Sequence, residues 1–236
     1  MLRVRNVTKT YRTPGGPVHA VRDLSFDVAE GDFIMVHGPS GSGKSTLLLL
    51  LGGMLPPDSG EVFYDSGEVY GWSPAKRNRY RKQTVGFVFQ RYFLIPYLSV
   101  LDNIRMPLAI QGGGPDPTDE IRRLARRLHI EHRLAHRPGE LSAGEQQRAA
   151  VARAMMGGKR LILADEPTGN LDERNAQIIA QCLVEERERG RTILVVTHDQ
   201  SLLDIGTRRL QLQDGALIGP AECGPPHSGP AAPSGG

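Results

Sequence analysis

The sequence predicts an α/β fold with a polar site at the carboxyl ends of its strands. Three apolar runs, Phe33–Val36, Leu161–Ala164 and Thr192–Val196, have the length and branched content of buried strands. Between the first run and the leucine-rich stretch 47–51 stands Gly38-Pro39-Ser40-Gly41-Ser42-Gly43-Lys44-Ser45-Thr46. It fits G-x-x-x-x-G-K-[ST], and the strand–loop–helix context is what makes that pattern a phosphate-binding loop.

In chain order, residues 2–5 and 24–28 are strand-forming, and Thr13-Pro14-Gly15-Gly16-Pro17 between them reads as a turn or hairpin tip. Glu30-Gly31-Asp32 turns into the strand at 33–36. Residues 44–53 form a helix ended near Gly52-Gly53, 56–60 is a loop, and Glu61–Tyr64 is a short strand. Residues 74–82 are polar and helical. Val85–Phe89 is a buried strand that ends in Gln90.

Residues 91–140 change character and read as a mostly helical subdomain inserted in the α/β core. Gly112-Gly113-Gly114-Pro115 breaks it. Asp116 is expected to cap a helix with Pro117 at its first position. Ile121, Leu124, Ala125 and Leu128 fall on one face of that helix, with arginines opposite. The core resumes with a helix over Gln146–Met156, the strand 161–164, a helix over 173–189 and the strand 192–196. A helix near 200–205 and a strand at 210–213 complete it. From Gly219 onward the chain is mainly Gly, Pro, Ser and Ala, so residues 219–236 are expected to be a disordered tail on a domain of residues 1–218.

Composition narrows the function. Hydrophobic content of 39% and charged content of 23% fit a soluble globular protein. A net charge of +3 gives no argument for nucleic acid, and no nucleic-acid partner is expected. The arginines at 77, 79 and 81 and at 122, 123, 126 and 127 read as solvated faces or, second, as contacts for a membrane surface or an acidic partner. Cys182 and Cys223 lack metal-ligand spacing and do not make a disulfide framework. His129, His132 and His136 have near-helical spacing, but no carboxylate or cysteine pattern makes them a metal set. Met1–Arg5 is charged, without the apolar core of a signal peptide. The apolar stretch 47–55 is far short of the ~20 residues that span a bilayer. Any work at a membrane therefore needs a second chain to supply the membrane part.

The chemistry starts at the loop. Glycines at 38, 41 and 43 let the backbone curl so that amide groups point inward at phosphate oxygens, and the following helix adds a partial positive charge. Lys44 is placed to reach the β- and γ-phosphates, and the Ser45 hydroxyl to ligate Mg²⁺. The strand 161–164 ends in Asp165-Glu166. An acidic residue there suits the magnesium of such a loop. Glu166 beside it can orient or deprotonate an attacking water.

Further strings carry a family resemblance: Gln90, Leu141-Ser142-Ala143-Gly144-Glu145-Gln146-Gln147-Arg148, Thr168-Gly169-Asn170-Leu171-Asp172 and His198. With the phosphate loop and Leu161–Glu166, they follow the order of an ATP-binding cassette (ABC) ATPase over about residues 1–217. The resemblance implies a P-loop NTPase core with a mixed sheet, an N-terminal antiparallel β-subdomain and an inserted α-helical subdomain. It implies ATP and Mg²⁺ as cofactors. Tyr11 resembles the aromatic that stacks on adenine, with Val18 also in the nucleotide site. Ser45, Gln90 and Asp165 resemble the metal ligands, Glu166 the general base and His198 the histidine that contacts the γ-phosphate. Asp172 resembles the aspartate at the dimer interface.

The signature segment departs from the family's LSGGQ at two places. Ala143 replaces the first glycine, and Glu145 replaces glutamine. Ser142 and Gly144, which in the family touch ATP held by the opposite subunit, are retained. Position 143 is expected to have negative φ, because a left-handed alanine costs about 1–2 kcal/mol. His37 stands where the family has an apolar residue.

Leu51-Gly52-Gly53, Gly86–Gln90, Leu101-Asp102-Asn103-Ile104 with Pro107-Leu108, and the segment 168–172 look like the ATPases of lipoprotein-release and macrolide-export systems and of a related cell-division pair. The resemblance implies a homodimer that closes on ATP. It places the chain in the cytoplasm, on the inner face of the membrane, bound to a permease. The aromatic and apolar residues of 91–98 are candidates for part of the docking groove, or for plain core packing. Two other classes share these motifs: a regulatory ATPase that controls a membrane partner without transport, and a soluble ABC ATPase of translation or repair.

Overall fold

Every residue of Phe33–Val36 is buried, which requires cover on both faces of the strand. The computed structural model describes residues 1–169 and 171–223, and it supplies that cover with two layers. The strand β3 (Phe33–His37) lies inside a six-stranded sheet with β6 (Val85–Val88), β7 (Leu161–Asp165), β8 (Thr192–Val196), β9 (Arg208–Gln213) and β10 (Ala216–Cys223). Their order is β10-β9-β3-β8-β7-β6; all neighbours are parallel except β9 and β10.

Period-two alternation sorts the side chains. Phe33, Met35, Ile162, Ile193 and Val195 join a core shared with the helices of the second half. Ile34, Val36, Leu161, Leu163, Leu194 and Val196 face the other way. There they meet α1 (Lys44–Leu51) and a four-stranded antiparallel sheet. That sheet has the order β2-β1-β4-β5, built from β1 (Leu2–Thr13), β2 (Gly16–Val28), β4 (Ser59–Tyr64) and β5 (Gly67–Glu68). The helix α2 (Pro74–Gln83), capped by Ser73, leads from it to β6.

Between residues 91 and 140 lie α3 (Val100–Gln111), α4 (Thr118–Arg127) and two 3₁₀ turns. Asn103 is fully buried and pins the preceding loop to α3. Its carboxamide oxygen accepts from the Ile95 amide at 2.7 Å, and its NH₂ donates to the carbonyls of Ile95, Leu98 and Ser99. Ile121, Leu124 and Ala125 of α4 are buried as their spacing predicts. The core then returns through α5 (Ala143–Met155), β7, α6 (Glu173–Glu188) and β8.

Several local expectations change. The first two strands run to the hairpin turn, pairing Thr13 with Gly16, and far exceed 2–5 and 24–28. Their outer halves are mostly solvent-exposed and polar, so no apolar alternation marks them. The helix expected to start at Pro117 starts at Thr118, with Pro117 in the cap position. Asp116 accepts from the Thr118 amide at 3.1 Å and from its hydroxyl at 2.7 Å, a local Asx turn just ahead of the helix. The segment 200–205 is a 3₁₀ helix. The expected tail begins too early at Gly219, because β10 pairs Glu222 with Arg209 and Cys223 with Arg208. The exposed edge of β9 holds that segment. Residues 224–236 and Asn170 lie outside the described residues.

Candidate functional site

The carboxyl ends of β3, β8, β7 and β6 lie side by side, which is where an open parallel sheet places its ligands. The phosphate loop leaves the first of them. Gly43 has φ of +98°, and a Cβ there would stand 1.8 Å from the Ala20 carbonyl oxygen. Gly38, at +146°, is similarly closed by the Leu212 carbonyl at 1.9 Å. Both positions exclude any side chain, because the loop is pressed between β2 and β9. Lys44 is buried and donates from Nζ to the carbonyls of Gly38 at 2.9 Å and Pro39 at 2.8 Å, so the loop wraps its own lysine. His37 closes β3 opposite Gln211.

Across from the loop, β7 delivers two carboxylates. Ser45 donates its hydroxyl to Asp165 Oδ1 at 3.0 Å. Burial pushes the Asp165 carboxyl above its ordinary range. The Ser45 hydrogen bond opposes the rise, the Glu166 charge adds to it, and Lys44 opposes it again. Glu166 follows with φ of +49°, a left-handed conformation that costs a non-glycine residue of order 1 kcal/mol or more. Its amide donates to the Val196 carbonyl at 2.9 Å. Its Oε1 lies 2.8 Å from Nδ1 of His198, which follows β8, while Oε2 is buried without a hydrogen-bond partner. Gln90, just past β6, completes the wall.

These groups enclose a cavity of about 620 Å³. Ser40, Gly41, Gly43, Lys44, Ser45, Thr46, Gln90, Glu166 and His198 line it, whereas Gly38, Pro39, Ser42 and Asp165, also expected at the site, do not reach its lining. Ala20 and Val196 line it as well, and neither was expected. They enter only because β2 and β8 pack beside the loop, so no local motif marks them. Tyr11 and Val18 are not in its lining. They face each other across the hairpin and are both exposed, at 39% and 50%.

Ser142, Gly144, Glu145 and Asp172 also stand outside the cavity. Ser142 caps α5, with φ of −62°, and Ala143 is the first helical residue. Ala143 is absent from the residues with positive φ, as expected. The glycine-to-alanine change therefore costs no backbone strain. Gly144 is different, since a Cβ there would lie 2.9 Å from Cγ of Asn175. Asn175 is itself held by Asp172, which caps α6.

Glu145 closes a capping box. Its carboxylate accepts from the Ser142 amide at 2.8 Å and from the Ser142 hydroxyl at 2.9 Å, while Ser142 Oγ accepts from the Glu145 amide. Arg133 donates to it from Nε at 2.7 Å. Burial raises this carboxyl, but the Arg133 and Ser142 hydrogen bonds outweigh burial and bring it down to about 2. The S-x-x-E spacing in the sequence marks this helix start, three residues before Gln146.

The sheet end with its glycine loop, wrapped lysine and opposed carboxylates is the working end of a P-loop nucleoside triphosphatase. Comparison with known proteins narrows the class. A family model described as ABC transporter matches residues 21–169. The lipoprotein-releasing system ATP-binding protein LolD of Idiomarina loihiensis is 42% identical over 219 residues, covering 92% of this chain and 96% of that protein. The dimeric structure of MJ0796, a bacterial ABC transporter cassette, is 37% identical with a TM-score of 0.88. A dimeric post-hydrolysis state of the same cassette, bound to ADP and Pi, gives 37% and 0.86. Each superposition covers 94% of this chain and 98% of the other. The chain belongs to the ABC transporter family, as its ATP-hydrolysing subunit. Among the described residues, no helix is long and apolar enough to cross a membrane.

Proposed function

We propose that this subunit binds Mg²⁺–ATP at the P-loop, closes as a homodimer around two nucleotides, and drives a membrane permease of the lipoprotein-release type. The observation that carries the two-copy site is the separation of its parts. Ser40, Gly41, Gly43–Thr46, Gln90, Glu166 and His198 line one cavity, with Asp165 joined to it through the Ser45 hydroxyl, whereas Ser142 and Gly144 present the N-terminus of α5 elsewhere. A second copy can bring that N-terminus to the nucleotide, where amides and helix dipole favour an anion. The dimeric cassettes to which the chain is similar support this reading. Tyr11 and Val18, exposed on the hairpin, are offered to the base.

The donor set fits magnesium. Asp165 and Glu166 crowd two carboxylates together, burial holds Asp165 up, and Glu166 Oε2 lacks a partner. Ser45, Asp165 and Gln90 would hold the ion, which supplies charge neutralisation when bound. Lys44 exchanges its loop carbonyls for phosphate oxygens. Glu166 orients the attacking water and takes its proton, and His198, fixed by Glu166 Oε1, supports the γ-phosphate. Glu166→Gln is expected to bind ATP, lose roughly 10²–10³-fold in kcat and accumulate as an ATP-bound dimer by light scattering. Near-normal turnover removes Glu166 from this role. Absence of the dimer removes the two-copy site.

We assign the ATPase domain to residues 1–223, through the end of β10, with residues 91–140 as its helical subdomain. The permease reading gains a surface. A groove of about 400 Å³ runs between the core and α3, floored by Phe87, Phe89, Phe93, Met106 and Ile110. Arg81, Lys82, Arg153 and Lys159 rim it, and its lining includes no carboxylate. Burial lowers Lys159 to about 8. The groove suits an apolar cytoplasmic helix with an acidic flank, and lipoprotein release follows from the similarity to LolD. Attachment through that helix places the subunit on the inner face of the membrane.

A further inference from the structure

Gln147 is 1% exposed, and its position on α5 follows Ser142 by about 7.5 Å along the helix axis. Its Nε2 donates to the Pro167 carbonyl at 2.9 Å, while Oε1 is buried without a partner. A methionine would fill this space with no buried polar group, so the amide carries a cost that only its one hydrogen bond offsets. That bond lands on the residue directly after Glu166. The Glu166 loop is tight, since Glu166 is left-handed and its carbonyl accepts from the Gly169 amide at 3.1 Å. The start of α5 also touches the far end of this loop, where Gly144 packs on Asn175 and Asn175 bonds Asp172. One helix turn thus touches Pro167 directly and reaches Asp172 through Asn175.

We propose that Gln147 is a positioning residue that couples the Ser142 end of α5 to the Glu166 loop of the same chain. Docking of Ser142 and Gly144 on a second copy's nucleotide then shifts α5, and Gln147 passes that shift to the chain's own Glu166. The role of Ser142 in this inference rests on the two-copy site proposed above. The coupling would make each site ready for hydrolysis only when its own chain has closed the other.

The test uses Q147M, which keeps volume without a donor, and Q147E, which donates only when protonated. Q147M is expected to lower kcat roughly 10-fold to 100-fold, the range for a misplaced catalytic group. ATP affinity of the single chain and Tm should stay near wild type. Combined with S142A, its effect on kcat should be less than multiplicative. The Q147E rate relative to wild type should rise as pH falls, because a protonated carboxyl can donate to Pro167 and an ionised one repels its carbonyl. Wild-type kcat in Q147M overturns the proposal, and so does a parallel loss of affinity, Tm and kcat. Multiplicative effects with S142A overturn the coupling. If Q147M does not fold, a pH-independent Q147E ratio overturns it. A Glu166→Gln chain that fails to dimerise on ATP refutes the two-copy site instead, and leaves the effect of Gln147 on kcat to be judged by itself.

Discussion

Glu145 stands where the family pattern has glutamine, so Glu145→Gln restores the common residue and should nevertheless destabilise this protein. The carboxyl falls from an ordinary 4.5 to about 2 in the native state. At about 1.4 kcal/mol per pH unit, the charged form is favoured by at most about 3.5 kcal/mol. Glutamine keeps one acceptor for the Ser142 amide and loses the charge that faces Arg133, so about 1–2 kcal/mol is expected to disappear. For a domain of this size that is a fall in Tm of roughly 2–8 °C at pH 7.5. The sign with pH follows from the lowered native value. The stabilisation is complete above the unfolded value of 4.5 and is lost as pH falls through about 2. The gap between wild type and Glu145→Gln should therefore narrow between pH 5 and pH 2.5. Thermal melts followed by circular dichroism at pH 7.5, 4.5 and 3 measure it. Equal Tm values at pH 7.5, or a gap as wide at pH 3 as at pH 7.5, would refute the reasoning.

Gly144→Ala drives a Cβ to 2.9 Å from Asn175, so it should cost about 1–3 kcal/mol and weaken ATP-driven dimerisation, read by light scattering. Ala143→Gly, one residue earlier, should change stability by no more than about 1 kcal/mol. Glu186 is buried on α6 and takes Arg127 of α4 at 2.7 Å, Arg189 at 2.5 Å and Arg191 at 2.9 Å. Glu186→Ala leaves Arg189 and Arg191 without their carboxylate and Arg127 with Glu185 alone, and should cost about 3–5 kcal/mol in urea titrations; a loss below about 1 kcal/mol contradicts this. Ile110→Glu puts a charge in the groove and should abolish co-purification with the permease while ATP hydrolysis by the isolated subunit continues.

The phosphate loop was legible because all its parts are contiguous and glycine is needed where β2 and β9 press on it. The strand-end groups were legible for a related reason. Asp165, Glu166 and His198 each follow an apolar run, and parallel packing carries such ends to one edge. The start of α5 was misplaced because Ser142-Ala143-Gly144 reads as a loop by composition, although Ser142 and Glu145 had the spacing of a capping box. The length of the first hairpin was hidden in strands whose outer halves are wet on both faces. Pairings such as Arg127 with Glu186, or Gln147 with Pro167, join residues from different elements, and only the packed chain brings them together.

The order in which the site's residues occur has a consequence for biosynthesis. About 150 residues separate Lys44 from His198, and a ribosome adds roughly 5–20 each second. For ~10 s or more, each new chain carries a phosphate loop with no strand β7 or β8 beside it. The face of β3 that carries Phe33 and Met35, which packs on the later half of the chain, stays uncovered over the same interval. Chaperone demand should peak while residues 91–160 are being made, and a translational pause there would prolong exposure of a strand built to lie at the centre of a sheet.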